Sequence, residues 1–359
     1  MKVEITDLPE FLAGPLSVVP GRSPIKSYEG VLLEIWPDGS TRATGTTGIG
    51  SWSVGTIVVT ATRGSPDGKA AWAAVVSTWL ARQVGTVVMS PAGERRLHVD
   101  IMSANRSATL TCMDPSDFPA PAVAPDGGEA VDDLLQALHA VAPAVSLDRS
   151  RPGMCGIYLE RDRVTATSST QLHSVKCNAS PIPMIVPPEI GSALRSAEAA
   201  IRIGPPVDRI NGHLSSGEIT CRFPLVDPST FPPWRSILDL YGKDPVASAV
   251  VQADLLADQA DWAATIATRA KPIAILNIEP AGGVAVSLDE SGIDAHNGRG
   301  WIQAVEIIGS GSACHPPDQI ITTVRSAAKC GKSLRIQIVK NMTWFEAGNF
   351  VGAVSAISK

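Results

Sequence analysis

The hexapeptide Asp114-Pro115-Ser116-Asp117-Phe118-Pro119 returns as Asp227-Pro228-Ser229-Thr230-Phe231-Pro232 with one substitution, after an interval close to a third of the 359-residue chain. The surrounding sequence keeps the same step. Segments 30–34, 156–160 and 276–279 each read as an apolar strand ending in glutamate, at Glu34, Glu160 and Glu279. Solenoid units are only about 20–50 residues long, so a period of roughly 120 is a whole repeated domain. A domain of that length can bury its own core. The chain reads as one domain written three times, with expected boundaries at 1–122, 123–245 and 246–359.

Each repeat shows one order of elements. A short strand and a helix come first, expected at 6–18, 130–142 and 253–268. In the second of these, Val131, Leu134, Leu135, Leu138 and Val141 fall at helical spacing and make one apolar stripe. The glutamate-ending strand follows, with a partner such as 40–44 or 163–167. A second helix is expected midway, at 68–82, 188–200 and 316–329, with Pro188 and Pro317 where a first helical turn tolerates proline. Alternating strands such as 97–101 and 334–338 close the repeat, and the Pro/Gly-rich segments 119–128 and 241–246 read as linkers. Two helices with many antiparallel strands give an α+β class, with the helices on one sheet face.

Composition narrows the function. The apolar stretches are too short to span a bilayer, and the opening Met1-Lys2-Val3-Glu4-Ile5 alternates like a strand, unlike a signal peptide. A cytoplasmic protein is expected. Cys112, Cys155, Cys177, Cys221, Cys314 and Cys330 are scattered without a CxxC pair, which reads as reduced, mostly buried thiols. The net charge of −5 advertises no nucleic-acid binder, so any basic surface is local. No nucleophile elbow, HExxH or phosphate loop occurs, and Gly48-Ile49-Gly50 reads as a hairpin turn after Thr46-Thr47. A thiol–imidazole pair of His173 with Cys155 or Cys177, or a metal pair at Asp132/Asp133, lacks any specific spacing. Neither catalytic residue, metal nor cofactor is expected.

Three such domains, with Phe-Pro near the ends of the first two, resemble the bacterial β sliding clamp, the processivity factor of replicative DNA polymerase. The resemblance covers the whole chain and is best over 151–238, from Arg151-Pro152 through Val186-Pro187 to the segment 231–238. It implies three tandem clamp domains, closed head to tail as a homodimeric ring with strands outside and helices lining a channel for duplex DNA. It also implies a pocket between domains two and three for short linear peptides from polymerase, clamp loader and repair proteins. By position the match gives Met154, Thr167, Thr170, Leu172, Pro232, Ser236 and Ile237, with Val351 and Val354 from the C-terminal strand. Each apolar residue among them also reads as ordinary core. The loop 167–172, Thr-Ser-Ser-Thr-Gln-Leu, departs from the family's Thr-Asp-Gly-His-Arg-Leu, and the tail 350–354 lacks the family's Met-Pro, which makes a shallower groove.

A ring suits this task physically. Tight phosphate contacts or base readout would hold DNA but stop it moving, whereas topological linkage holds it however weak the contacts. Head-to-tail domains offer heterologous ends that close into a ring if the rotation is right, and unpaired edge strands at those ends would pair with each other. Segment 108–112 reads either as such an edge or as an internal strand. Counted over 6–18, 68–82, 129–142, 188–200, 253–269 and 316–332, the expected helical segments carry a summed charge of −4, which is unlike a DNA channel. Against this, a basic pair follows the first helix of every repeat: Arg22/Lys26, Arg149/Arg151 and Arg269/Lys271. These read as DNA-facing cations or as solvated loop charges. The alternative to a replication clamp is a clamp-fold scaffold or accessory protein, of phage or plasmid type, that has drifted from replication.

Overall fold

The structure, a computed structural model, describes residues 2–48, 55–123, 127–195, 199–204, 210–240, 243–266, 273–280, 282–289 and 298–357. The α-helices of the described residues are α1 (Leu8–Ser17), α2 (Leu134–Val141), α3 (Glu189–Ala193), α4 (Arg235–Leu238), α5 (Ala253–Ile266) and α6 (Pro317–Cys330). The chain forms two compact units, Met1–Leu135 with Val186–Val226 and Gln136–Ile185 with Asp227–Lys359. The middle sequence repeat therefore contributes to both.

In the first unit an antiparallel eight-stranded sheet runs, neighbour to neighbour, through Trp72–Ser77, Gly30–Ile35, Thr41–Thr46, Val58–Arg63, Ile219–Pro224, Asn211–Ser216, Ile201–Gly204 and Glu129–Val131. Strands from the first and middle repeats join where Thr220 faces Thr60 and Cys221 faces Val59. Leu8, Phe11, Leu12 and Pro15 make the buried stripe of α1, at the spacing of one helical face. The helix lies so close to the sheet that a Cβ on Gly45 would come 1.8 Å from the Pro15 carbonyl oxygen, so only glycine fits there. A second, four-stranded sheet orders Val3–Ile5, Val87–Gly93, Arg96–Ile101 and Arg106–Thr111. Arg106–Thr111, which contains most of segment 108–112, is one of its two edge strands.

The second unit repeats the plan. Its nine-stranded sheet orders Met184–Val186, Ile157–Leu159, Arg163–Thr167, Gln171–Lys176, Phe350–Ser355, Met342–Ala347, Ser333–Val339, Ala247–Gln252 and Glu306–Gly309. Here middle and last repeats join where Leu172 faces Ala353 and Ser174 faces Val351. A four-stranded sheet orders Gly298–Gln303, Gly283–Asp289, Ile273–Glu279 and Gly311–His315. Helix α6 buries Ile320, Val324 and Ala327, and its Arg325 reaches Asp261 of α5 at 2.8 Å.

The repeated hexapeptide has the same role in both units. The Asp114 and Asp227 carboxylates accept the N–H of Ser116 and Ser229, each at 2.9 Å, and start a tight turn. The turn buries a phenylalanine against a tyrosine near a glutamate-ending strand. Phe118 meets Tyr28 edge-on at 5.8 Å, and Phe231 stacks on Tyr158 at 4.8 Å. Each of the three glutamates takes an arginine: Glu34 is bidentate with Arg42 (2.7 and 2.9 Å), Glu160 meets Arg235 at 3.0 Å, and Glu279 pairs with Arg299.

Two expected helices are corrected. Segment 68–82 is a strand, Trp72–Ser77, followed by a 3-10 turn, Thr78–Arg82. Its apolar residues at 72, 75, 76, 79 and 80 fit a helical face, but the segment pairs as a strand with Gly30–Ile35 and packing buries residues on both of its faces. Val75 packs with Leu32 and Phe118, while the Trp72 indole on the other face donates to the Gly93 carbonyl at 3.0 Å. A strand covered on both sides has no alternation to reveal it. In segment 188–200 the helix stops at Ala193, and 196–198 lie outside the described residues. Of the expected hairpin turn at 46–50, Ile49 and Gly50 likewise lie outside them.

Candidate peptide groove and basic loops

Strand register assembles one wall of the expected groove. Thr167 faces Leu172, Leu172 faces Ala353, and Val351 lies one pleat along beside Ser174. Residues directly opposite one another share a sheet face, so Thr167, Leu172 and Val351 point the same way. Trp344, which faces Ala353 from the next strand, lies on that face and is fully buried. Val354 does not belong to this wall. It pairs with Gln171 and Thr343 on the opposite face, where it is wholly buried. The sequence placed it in the groove because a strand's face cannot be assigned without its register.

The turn before the strand Gln171–Lys176 is held from within. The Thr167 hydroxyl donates to the Gln171 carbonyl at 2.8 Å, Ser169 takes a φ of 71°, and Thr170 is exposed and accepts from the Gln319 amide at 2.9 Å. A second set comes from two short turns. Met154 ends the 3-10 turn Pro152–Met154, and Gly153 lies so near Thr230 that a Cβ would come 2.5 Å from the Thr230 carbonyl oxygen. That approach seats the Met154 turn against Pro228–Thr230, immediately before Pro232, Ser236 and Ile237. Ser236 is exposed and donates to the Pro233 carbonyl at 2.7 Å; Pro232 and Ile237 are half-buried. Met154 and Leu172 are both buried.

A cavity in this region, about 320 Å³, is lined by Pro232 and Ser236 but otherwise by residues the sequence reading did not assign to the groove: Tyr158, Glu160, Pro228, Phe231, Pro233, Trp234 and Arg235. Arg235 anchors the segment. It reaches Glu160 at 3.0 Å and Asp162 at 2.7 Å and lies over the Trp234 ring at 4.8 Å. The sequence signals for this cluster were the recurrence of Glu160 with the other strand-ending glutamates and the repeated hexapeptide that supplies Pro228, Phe231 and Pro232.

Of the basic residues, Arg22 is exposed, and Lys26 sits 3.0 Å from Glu29. The Ser23 N–H, and then Lys26, hold the Glu29 carboxyl below its usual range. Both cations border an open depression of about 470 Å³. Arg149 is exposed, and Arg151 lies 3.7 Å from Asp148. Arg269 and Lys271 lie outside the described residues. Helix α5 carries Asp254, Asp258 and Asp261 in one stripe.

His173 takes part in a structural network instead of a thiol pair. It is wholly buried, its Nδ1 is 3.0 Å from the Ala140 carbonyl, and its Nε2 is 2.9 Å from both the Gln171 amide and the Thr323 hydroxyl. The Cys155 thiol donates to the Asp148 carbonyl at 3.2 Å. Among the described residues no three His, Cys, Asp or Glu gather as a metal site, and no helix is long and apolar enough to cross a membrane.

No protein-family model matches the chain, and no curated protein matches it in sequence. Solved structures do match over its full length. The DNA polymerase sliding clamp of Bacillus subtilis is 16% identical, with a TM-score of 0.75 over 100% of this chain and 99% of that one. The DNA polymerase III beta subunit of Thermotoga maritima is 15% identical with a TM-score of 0.76, at the same coverage. The corresponding subunit of Borrelia burgdorferi is 12% identical with a TM-score of 0.79, again over 100% and 99% of the two chains. The chain has the α+β fold of the bacterial DNA polymerase III β sliding clamp.

Proposed function

We propose that this protein is a divergent sliding clamp, a non-catalytic ring that encircles duplex DNA and tethers a DNA polymerase and other peptide-bearing partners, the clamp loader among them. The observation that carries this reading is the full-length likeness to several bacterial clamps at TM-scores of 0.71 to 0.79. In this reading the chain is three clamp domains, 1–122, 123–245 and 246–359, and two chains close head to tail. The strand Arg106–Thr111 and the strand Gly298–Gln303, edge strands of the two four-stranded sheets, are the free backbone for closure. DNA is met weakly by Arg22, Lys26, Arg149, Arg151, Arg269 and Lys271. Peptides enter the groove of Met154, Thr167, Thr170, Leu172, Pro232, Ser236, Ile237 and Val351. The protein acts in the cytoplasm, at the nucleoid, and needs no cofactor.

Topology supplies the test. After incubation with nicked circular duplex, protein should stay with the circle in a salt wash that removes ordinary ionic contacts. Cutting the circle once should release it. Retention that is equal before and after cutting would refute encirclement. A second reading, a clamp-fold scaffold without a DNA role, is favoured by the acidic stripe of α5 and by the strand that replaces the helix at 68–82. Absence of any retention on the circle would favour it.

A further inference from the structure

We propose that the cavity beside Tyr158 and Trp234 is a second side-chain subsite, taking one uncharged aromatic side chain from the flank of the peptide that occupies the groove. The proposal rests on the groove reading above. A volume of about 320 Å³ suits one large side chain and is too small for a helix or strand. Aromatic rings and prolines make the apolar part of the wall: Tyr158 and Phe231 stack at 4.8 Å with 12° between their planes, beside Pro228, Pro232, Pro233 and Trp234, while Glu160, Arg235 and Ser236 make the polar part. Flat apolar walls of this kind favour a flat guest.

The charges exclude an ionic guest. Glu160 is neutralised by Arg235 at 3.0 Å, and the same guanidinium meets Asp162 at 2.7 Å while covering Trp234 at 4.8 Å. Arg163, itself buried, lies 6.0 Å from the same ring. Two carboxylates and two guanidiniums balance, so neither a phosphate nor a lysine finds an unmatched counter-charge. Pro232 and Ser236 line this cavity and belong to the turn that walls the groove, so a peptide crossing that turn meets both depressions. Buried aromatic anchors of this kind dominate peptide affinity.

The test compares three peptides by fluorescence anisotropy on the full chain. One is short, with a glutamine and a Leu-Phe anchor; the others add a tryptophan through a flexible linker at either end. One extended peptide should bind roughly tenfold tighter than the short one. Tyr158→Ala should remove that gain while leaving short-peptide affinity within about twofold. A benzophenone in place of the tryptophan should crosslink to segment 228–236, a readout that needs no variant. Equal affinity of all three peptides, a gain that survives Tyr158→Ala, or crosslinks elsewhere would overturn the subsite and leave the groove standing. Failure of the short peptide to bind, or binding unchanged by Leu172→Asp, would instead overturn the groove reading, and the subsite with it.

Discussion

His173 shows how one residue can join three elements. Lying on the strand Gln171–Lys176, it gives its Nδ1 proton to the Ala140 carbonyl of α2, and its Nε2 faces the Gln171 amide and Thr323 of α6. A carbonyl only accepts, so the neutral tautomer carries its proton on Nδ1, and a second proton on Nε2 would confront the amide donor. Burial holds its pKa at about 4, below the ordinary 6.5. The unfolded chain therefore binds a proton between about pH 6.5 and 4 that the folded chain refuses, so stability is full above that window and falls as pH drops through it. The loss is on the order of 3 kcal/mol. Urea unfolding at pH 7.5 and 4.5 checks this. The parent should lose roughly 2–3 kcal/mol more than His173→Gln, since buried His315 and the carboxylates act in both proteins. Equal acid losses would contradict the assignment. Nothing in the sequence pattern signals this network, because its partners come from positions as distant as 140 and 323. Val354 escaped for a related reason: its neighbours in sequence resemble a groove strand, and only the pairing with Gln171 fixes its face.

Helix α6, with one buried and one wet face, lies where its spacing put it. The strands Gly30–Ile35 and Arg163–Thr167 also lie where expected although both of their faces are buried, because short apolar or β-branched runs bounded by turns mark a strand without alternation. Segment 68–82 was misread because packing on both sides of the strand Trp72–Ser77 overrides an apparent helical stripe. Its Lys69 and Arg82 thereby leave the set of helix charges, and Glu129, Asp132 and Asp133 leave it too because α2 begins only at Leu134, so the described α-helices stay net acidic. Cations for DNA must then come from the loops. Replacing Arg22, Arg149 and Lys271 together by glutamate should weaken binding to open-ended duplex. The parent should show a log–log salt slope of about −0.9 per phosphate neutralised, and each cation that met a phosphate should take about 1 from that slope when it is replaced. Anisotropy across several salt concentrations reads both values. An unchanged slope in the triple variant would show that these loops do not meet DNA.

For the molecule as a whole, the repeat in the sequence is matched by two sheet joins, one in each unit, where strands of successive repeats pair; the sequence pointed to edge pairing only at the chain's two ends. It could not foretell that the chain would divide into two units, since hydrogen bonding from one repeat to the next depends on which edges are left free. Arg106–Thr111 and Gly298–Gln303 are each at one edge of a four-stranded sheet, and in the proposed ring each one closes on the other chain. The decisive measurement is the solution mass at micromolar concentration together with electron micrographs of the same sample. Ring closure predicts a dimer of the 37.5 kDa chain, seen as a closed particle with an open centre. A monomer, or a dimer without a central channel, would be incompatible with it.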